Sequence, residues 1–526
     1  FWLKQKSGRL CFRAMTPSRN AIVSLVASWA LRCCGSTSEP ACQAGGSCKA
    51  SGLDSYFWPT AHGHYKHYGV SAFPGPFNLT TSLAWSWEHP DGQYNDMPMG
   101  AAIDDKNNVY VSADQGIYKL NPDGKLVWRY NPGNAPGRSN NLVPDSPSLY
   151  NGAVLCDTVD GRVYSLDMET GKVNWLRQVA PSIGMDTGVV AVHAGVVVVE
   201  TDASDGSCRS LYVRGLNVTN GNELWRFEPD NPLWDLMAQF LDDGTFVFQD
   251  LTGKVYRNRL SDGSNIWKSG GWPGSWTDGT QGLGPNGLVY GVNTNGCGGS
   301  HCHGYLSAYK VTDGSLVWQK DVPRPPNSSP VVGRLGKGDR LSVVMPIGQQ
   351  PSCDPAGSRV FEHFPYLRAL PWSLQLLAQG AAQLVALMQG DGQQAWTGNE
   401  DQMTDIMTFD AENGDLQWVW RGPTWKRLQC PGDEKGFLTR MFLGVRTASC
   451  PTPWGAPRIG TDGTVYAGNQ NGFFYAINDW NSDGQIDPVK EVSAFDCEAE
   501  FSSAGSAHGD GMVVMASGIK VWAWKV

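Results

Sequence analysis

A chain of 526 residues with a net charge of −9 and a pI near 5.5 lacks the sign of surface that nucleic acid or an anionic membrane attracts, and no basic run reverses that. No stretch outside the N-terminal leader is long and apolar enough to span a bilayer. Length alone would suggest about three domains, but 63 glycines and 22 tryptophans suit many short strands joined by tight turns.

Met15 is followed by Arg19 and then by the apolar run Ala21 to Leu31, which reads as a secretory signal. Thirteen cysteines and three glycosylation sequons, at Asn78, Asn217 and Asn327, point the same way, to the lumen of the secretory pathway or the extracellular space. A signal ending near Cys34 would leave an even number of cysteines. Residues 1–50 are therefore expected as a signal and Cys-rich leader, with Cys42 and Cys48 near enough to close a small loop, and residues 51–526 as the folded domain. The stretch Trp58 to His67 holds three histidines, His62, His64 and His67, which could bind a metal. With no Cys or carboxylate interleaved at ligand spacing, a polar lead-in lying across the domain surface is the favoured reading.

One unit is then written again and again. Gly116 to Trp128, Gly161 to Trp175, Leu211 to Trp225, Gly253 to Trp267, Gly304 to Trp318 and Asp405 to Trp418 each alternate apolar and polar residues. Each then turns at an Asp/Asn/Thr-Gly pair and ends in tryptophan. Alternation bounded by such a pair codes for an antiparallel hairpin whose turn needs positive φ. Leu83 to Trp87 looks like the tail of a unit whose first strand sits at the other end of the chain, in Gly518 to Trp524. A ring closes by pairing its first and last strands, because an open sheet edge is a liability. Counting repeat-final positions at Trp87, Trp128, Trp175, Trp225, Trp267, Trp318, Trp418 and near Val492, with a further strand pair before each hairpin, predicts eight blades. The expected fold is all-β: an eight-bladed β-propeller of four-stranded antiparallel blades, closed by the N- and C-terminal strands, with one mainly helical insertion.

The unit resembles the pyrroloquinoline-quinone (PQQ) type propeller repeat, and Ser165-Leu166-Asp167-Met168-Glu169-Thr170-Gly171-Lys172-Val173-Asn174-Trp175 is its nearest copy. The resemblance runs from about Trp58 to the C-terminus. It implies that each repeat tryptophan docks on a neighbouring blade, a packing role worth a few kcal/mol per residue.

Spacing doubles between Trp318 and Trp418. The excess, about residues 349–404, holds Trp372 to Met388, where alternation gives way to a helical pattern with Gln375, Gln379 and Gln383 in one stripe. A helix this free of charge either packs as a lid on the propeller or docks a protein partner or lipid surface. Further on, a hairpin turn is replaced by Asp479-Trp480-Asn481-Ser482-Asp483-Gly484-Gln485-Ile486-Asp487. Oxygen side chains at Asp479, Asn481, Asp483 and Asp487, glycine at the bend and the Gln485 carbonyl make the arrangement a structural Ca²⁺ requires. It resembles the calcium hairpins of integrin-type propellers, while Lys490 stands where an EF-hand would place its bidentate Glu. The competing reading is a long Asx-rich turn.

Cys297, His301, Cys302 and His303 also invite a metal reading, but zinc sites draw ligands from two separated pairs, so a Cys297 to Cys302 disulfide is favoured. Cys430 and Cys450 form a second candidate pair. PQQ dehydrogenases set the quinone over a disulfide of adjacent cysteines with Ca²⁺ and a catalytic Asp beside it. The only adjacent pair here, Cys33 and Cys34, precedes the propeller, and CxxCH, GxSxG and HExxH are all absent. These features weigh against PQQ as a cofactor and leave no catalytic residue to name. The expectation is a secreted or luminal protein-binding and assembly scaffold carrying structural calcium. The alternatives are a PQQ- and calcium-dependent alcohol or sugar dehydrogenase and a glycan-binding propeller using Trp272, Trp276, Trp396 and Trp454.

Overall fold

The structure is a computed structural model. It describes residues 56–63, 65, 69–90, 100–113, 116–133, 143, 145–183, 188–202, 209–296, 302–336, 340–349, 364–371, 373–375, 377–378, 380–381, 403–424, 453–499, 501, 505–518 and 520–526. The leader, Cys33, Cys34, Cys42, Cys48, Cys430, Cys450 and Trp396 lie outside these residues.

The described strands form eight four-stranded antiparallel sheets arranged as a propeller. Blade 1 runs Ala101–Ile103, Val109–Ala113, Gly116–Leu120 and Leu126–Tyr130. Blade 2 begins at Ser148–Tyr150, blade 3 at Ala191–His193, blade 4 at Gln239–Phe240 and blade 5 at Gly282–Leu283. Blade 6 starts at Val331–Arg334 and blade 7 at Arg458–Ile459. Blade 8 takes Ala507–Gly509, Met512–Ala516 and Lys520–Lys525 from the C-terminus, and its outermost strand, Leu83–Glu88, from the other end of the chain. The ring closes through that pair, in the register Trp87↔Val521 and Glu88↔Lys520. The first strand of each blade is innermost, so eight short strands surround the axis.

Inner and middle strands are buried almost throughout, whereas the outermost strand of blade 2, Val173–Gln178, shows water every side chain but its tryptophan, a pattern close to that of the other tryptophan-bearing outermost strands. That tryptophan is the joint between blades. Trp128 Nε1 donates to the Met168 carbonyl of the next blade (3.0 Å), and the same bond runs from Trp175 to Val218, Trp225 to Leu260, Trp267 to Val311 and Trp318 to Ala411. At the closing blade the residue that makes this bond is Trp85, to Pro122 (2.9 Å). Trp87, the position expected from sequence, packs on Tyr118 instead. Leu83-Ala84-Trp85 thus matches Leu126-Val127-Trp128, two residues before the position read from sequence.

The repeat turn also differs from the two-residue form expected. In blade 2 Gly171 N–H donates to the Asp167 carbonyl and Asp167 N–H to that of Lys172 (both 2.8 Å), so four residues make the loop and a bulge follows between Ser165 and Leu166. Only the glycine takes positive φ, 68° at Gly171. The preceding residue acts through its side chain: Asp262 Oδ1 accepts from Ser264 N–H (2.9 Å) and Asn220 Oδ1 from Asn222 N–H (3.0 Å), the Asx-turn role of these residues.

The expected insertion falls between Leu341–Gly348 and Thr404–Asp410, the second and third strands of blade 6. Its described part has a 3₁₀ turn at Pro365–Ala369 and helical residues at 373–375, 377–378 and 380–381, whereas Trp372, Gln379 and 382–388 lie outside the described residues. A packed lid would bury its leucines. Leu374 and Leu377 are instead 45% and 58% exposed.

Candidate functional site

The loop Asp479 to Asp487 links Phe473–Ile477 to Val492–Asp496 in blade 7, where every other complete blade has its tryptophan-docking turn. Its oxygens first satisfy its own backbone. Asp479 Oδ1 and Asn481 Oδ1 both accept from Asp483 N–H (3.2 and 2.9 Å), Asp479 Oδ2 accepts from Gly484 N–H (3.0 Å), and Asp483 Oδ1 from Gln485 N–H (2.8 Å). Asn481 Nδ2 donates to Asp483 Oδ2 (2.9 Å). Asp479, Asn481 and Asp483 are thus drawn to one side of the loop.

Asp487 belongs to a different group. Its Oδ1 accepts from Val489 and Lys490 N–H, and its Oδ2 lies 3.6 Å from Lys490 Nζ; the Val489 amide is the main reason its carboxyl sits below the usual range. Glu491, which the sequence reading passed over, is the loop's buried clamp. It takes Trp480 N–H (3.0 Å) and Asp487 N–H (2.8 Å) on its two oxygens. Its signal was the residue just after Lys490, one place beyond the EF-hand position. Among the described residues no three His, Cys, Asp or Glu side chains converge as metal ligands; Asp479, Asn481 and Asp483 share one side of the loop and are engaged by its own amides. The loop borders a cleft of about 440 Å³ against blade 6, lined by Arg340, Asp415, Gln417 and Trp418.

The second feature is the stretch expected to cross the surface. Trp58 to Gly63 are buried, and they lie on the inner strands. Trp58 exchanges both backbone bonds with Ile103 of blade 1 (2.9 and 2.7 Å), and the Pro59 carbonyl accepts from Leu149 of blade 2 (2.8 Å). Tyr65 stacks on His193 of blade 3 at 4.5 Å. Gly69 and Ser71 bond Ile459 of blade 7 (3.0 and 2.8 Å). Only the axis is within reach of all these strands, so the segment caps the channel at the end where first and second strands turn. His62 is buried there; His64 and His67 lie outside the described residues.

Beneath the cap lie two groups that sequence reading missed. Arg458, fully buried, donates to the carbonyls of Ala456 (3.1 Å), Pro457 (2.7 Å) and Ala61 (2.9 Å), and its Nε has no hydrogen-bond partner. Burial pushes its pKa down to about 9. His508 lies between Trp58, tilted at 5.1 Å, and Tyr466, edge-on at 5.2 Å, and meets Ser506 Oγ (3.0 Å) through Nε2. Burial, with the Arg458 charge beside it, pushes it down to about 3. Between blades 2 and 3, Asp145, Asp157 and Glu200 are buried together. Burial, then the charges of the other two, holds the Asp157 carboxyl far above the usual range.

Of the aromatics considered for sugar stacking, Trp276 and Trp454 are 9% and 0% exposed, so blade packing withdraws them from that role. Trp272 meets Tyr305 edge-on at 5.0 Å. Asn327 is 1% exposed, which removes its sequon from the folded surface. Cys302 is buried, while Cys297 and His301 lie outside the described residues.

Residues 79–229, from the closing strand through blade 3, match the family described as outer membrane protein assembly factor BamB. Within that span the repeats are PQQ-like. Over 119 residues the chain is 28% identical to the quinohemoprotein alcohol dehydrogenase ADH-IIG of Pseudomonas putida, covering 21% of this chain and 16% of that one. The alignments span between 16% and 22% of the curated relatives' own length. BamB of Moraxella catarrhalis shares the propeller fold at a TM-score of 0.51 and 13% identity, over 84% of this chain and 97% of that one. The ADHIIG structure shares it at 0.55 and 13%, over 90% and 80%.

Proposed function

We propose that this PQQ-like propeller is a protein-binding assembly scaffold of the secretory lumen or extracellular space. The observation that carries the reading is the blade 6 insertion. Tyr366, Leu370, Leu374 and Leu377 are 68%, 36%, 45% and 58% exposed, all within one short stretch of the chain. Large apolar side chains left exposed so close together in sequence mark protein contacts. Likeness to an assembly factor over residues 79–229 supports it. The test is a photo-crosslinking residue at Leu374 or Leu377 in cells. Discrete protein adducts from one of these positions that vanish when the other leucine is changed to Asp support the reading, and adducts unchanged by that change overturn it.

Structural Ca²⁺ belongs to the same proposal. Asp479, Asn481, Asp483 and the Gln485 carbonyl would hold it, and Asp487 would join by leaving Lys490. A disulfide between Cys297 and Cys302 also belongs here, supported by Cys302 being buried and not among the free thiols Cys156 and Cys497.

A dehydrogenase reading rests on the curated relatives named as alcohol dehydrogenases and on the buried carboxylates Asp145, Asp157 and Glu200. A quinone absorbance band on the purified protein, or alcohol oxidation after adding PQQ and Ca²⁺, would favour it over the scaffold. Binding on a glycan array, lost in Trp272→Ala, would favour the glycan reading.

A further inference from the structure

We infer that the capped end of the axial channel is a binding site for an extended peptide carrying a tryptophan, occupied in this state by the chain's own residues 58–63 and 69–71. The inference deepens the protein-binding reading and rests on it.

Three observations converge. The occupant is held by strand addition: Trp58, Pro59, Gly69 and Ser71 bond the free inner edges of blades 1, 2 and 7 through backbone groups, contacts that any extended chain can make. One side chain anchors it. Trp58 is 1% exposed, lies over His508, stands 5.9 Å from the Arg458 guanidinium and donates from Nε1 to the Ala61 carbonyl (3.2 Å). Finally, the cis segment fits the site imperfectly. Arg458 Nε and His508 Nδ1 are fully buried beneath it with no hydrogen-bond partner, although folded proteins pair nearly all such groups. An extended chain offering one more carbonyl there would satisfy what the resident segment leaves open.

Tethering gives the resident segment an effective concentration of order mM, so peptide in solution cannot displace it from the wild-type protein. The experiment uses the full chain and a fluorescent peptide with the sequence of residues 56–73, in wild type and Trp58→Ala. The variant, which weakens only the cis anchor, is expected to bind the peptide at least tenfold more tightly than wild type, and a peptide with alanine at the Trp58 position is expected not to bind. Hydrogen exchange on the wild type supplies a second reading. The amides of Trp58, Ser71, Ile103 and Ile459 are expected to exchange at least tenfold faster than those inside the second and third strands of blades 1 and 3. A folded Trp58→Ala that binds no peptide, a variant that cannot fold, or cap amides that exchange only with the blades would overturn the inference. Crosslinking at Leu374 and Leu377 would survive that failure, because the two surfaces share no residue.

Discussion

The indole of Trp225 lies against Gly263 of the next blade so closely that a Cβ added there would sit 2.5 Å from the ring, while its Nε1 donates to Leu260 O at 2.7 Å. One glycine thus serves two needs: it takes the positive φ that ends the loop, 71°, and it leaves room for the neighbouring blade's tryptophan. Gly263→Ala is expected to destabilise by about 2 kcal/mol or more, since backbone strain and ring clash add. Trp225→Ala is expected to cost about 3–5 kcal/mol. Urea denaturation of both variants checks this, and a Gly263→Ala effect below that of Gly195→Ala, where the added Cβ meets nothing within 4 Å, would contradict it.

The closing joint makes a sharper comparison. Trp85 carries the inter-blade bond, so Trp85→Phe, which keeps the ring and loses the donor, is expected to lower stability by about 1 kcal/mol. Trp87→Phe should change it less, because no hydrogen bond is lost. Thermal melts of the two side by side would decide between them.

Calcium should act on stability alone. If Asp479, Asn481 and Asp483 hold the ion, Ca²⁺ at about a hundredfold over its Kd adds about 2.7 kcal/mol to the folded state, and Asp483→Asn removes most of that response. Melting temperatures with and without EDTA measure it; an EDTA-insensitive wild type would mean that the loop is only an Asx-rich turn.

His508 ties stability to acid. Its folded pKa, near 3, lies below the ordinary 6.5, so the unfolded chain binds the extra proton between those values. Its contribution is fully present above about pH 6.5 and is lost progressively as the pH falls toward 3. The Arg458 charge beside it adds to burial, and Ser506, Trp58 and Tyr466 fill the rest of its surroundings. His508→Gln should flatten the stability profile through that window, which denaturant titrations at pH 4, 5 and 7 can read.

Asp157 works in the opposite direction. Its carboxyl is held protonated, so stability is present below the unfolded value near 3.8 and declines as pH rises through the raised folded value. Asp157→Asn, which keeps the shape without the titration, is expected to be more stable than wild type at pH 8 by about 1–3 kcal/mol and no more stable at pH 4. Equal stability at both pH values would contradict the burial-driven shift.

Much of the architecture was legible in the chain because it is local and repeated. Alternation, the Asx-Gly pair and the terminal tryptophan recur within about fifteen residues, and their period sets blade number, ring closure and the place of the insertion. The loop Asp479 to Asp487 stood out because it interrupts that period. What remained hidden depends on contacts across the ring. Trp85 and Trp87 are equivalent until the register against Val521 and Ala523 says which one faces the next blade. Trp58 to His67 reads as a polar lead-in, since nothing in its composition reveals that the inner strands of several blades leave backbone groups open toward one axis. Arg458 and His508 looked like ordinary residues of short strands; their burial comes from a segment some four hundred positions earlier. The unit and its repetition are written along the chain, because hairpins are specified by near neighbours. What fills the centre is set by the closed ring, because an axis exists only once the ring has closed.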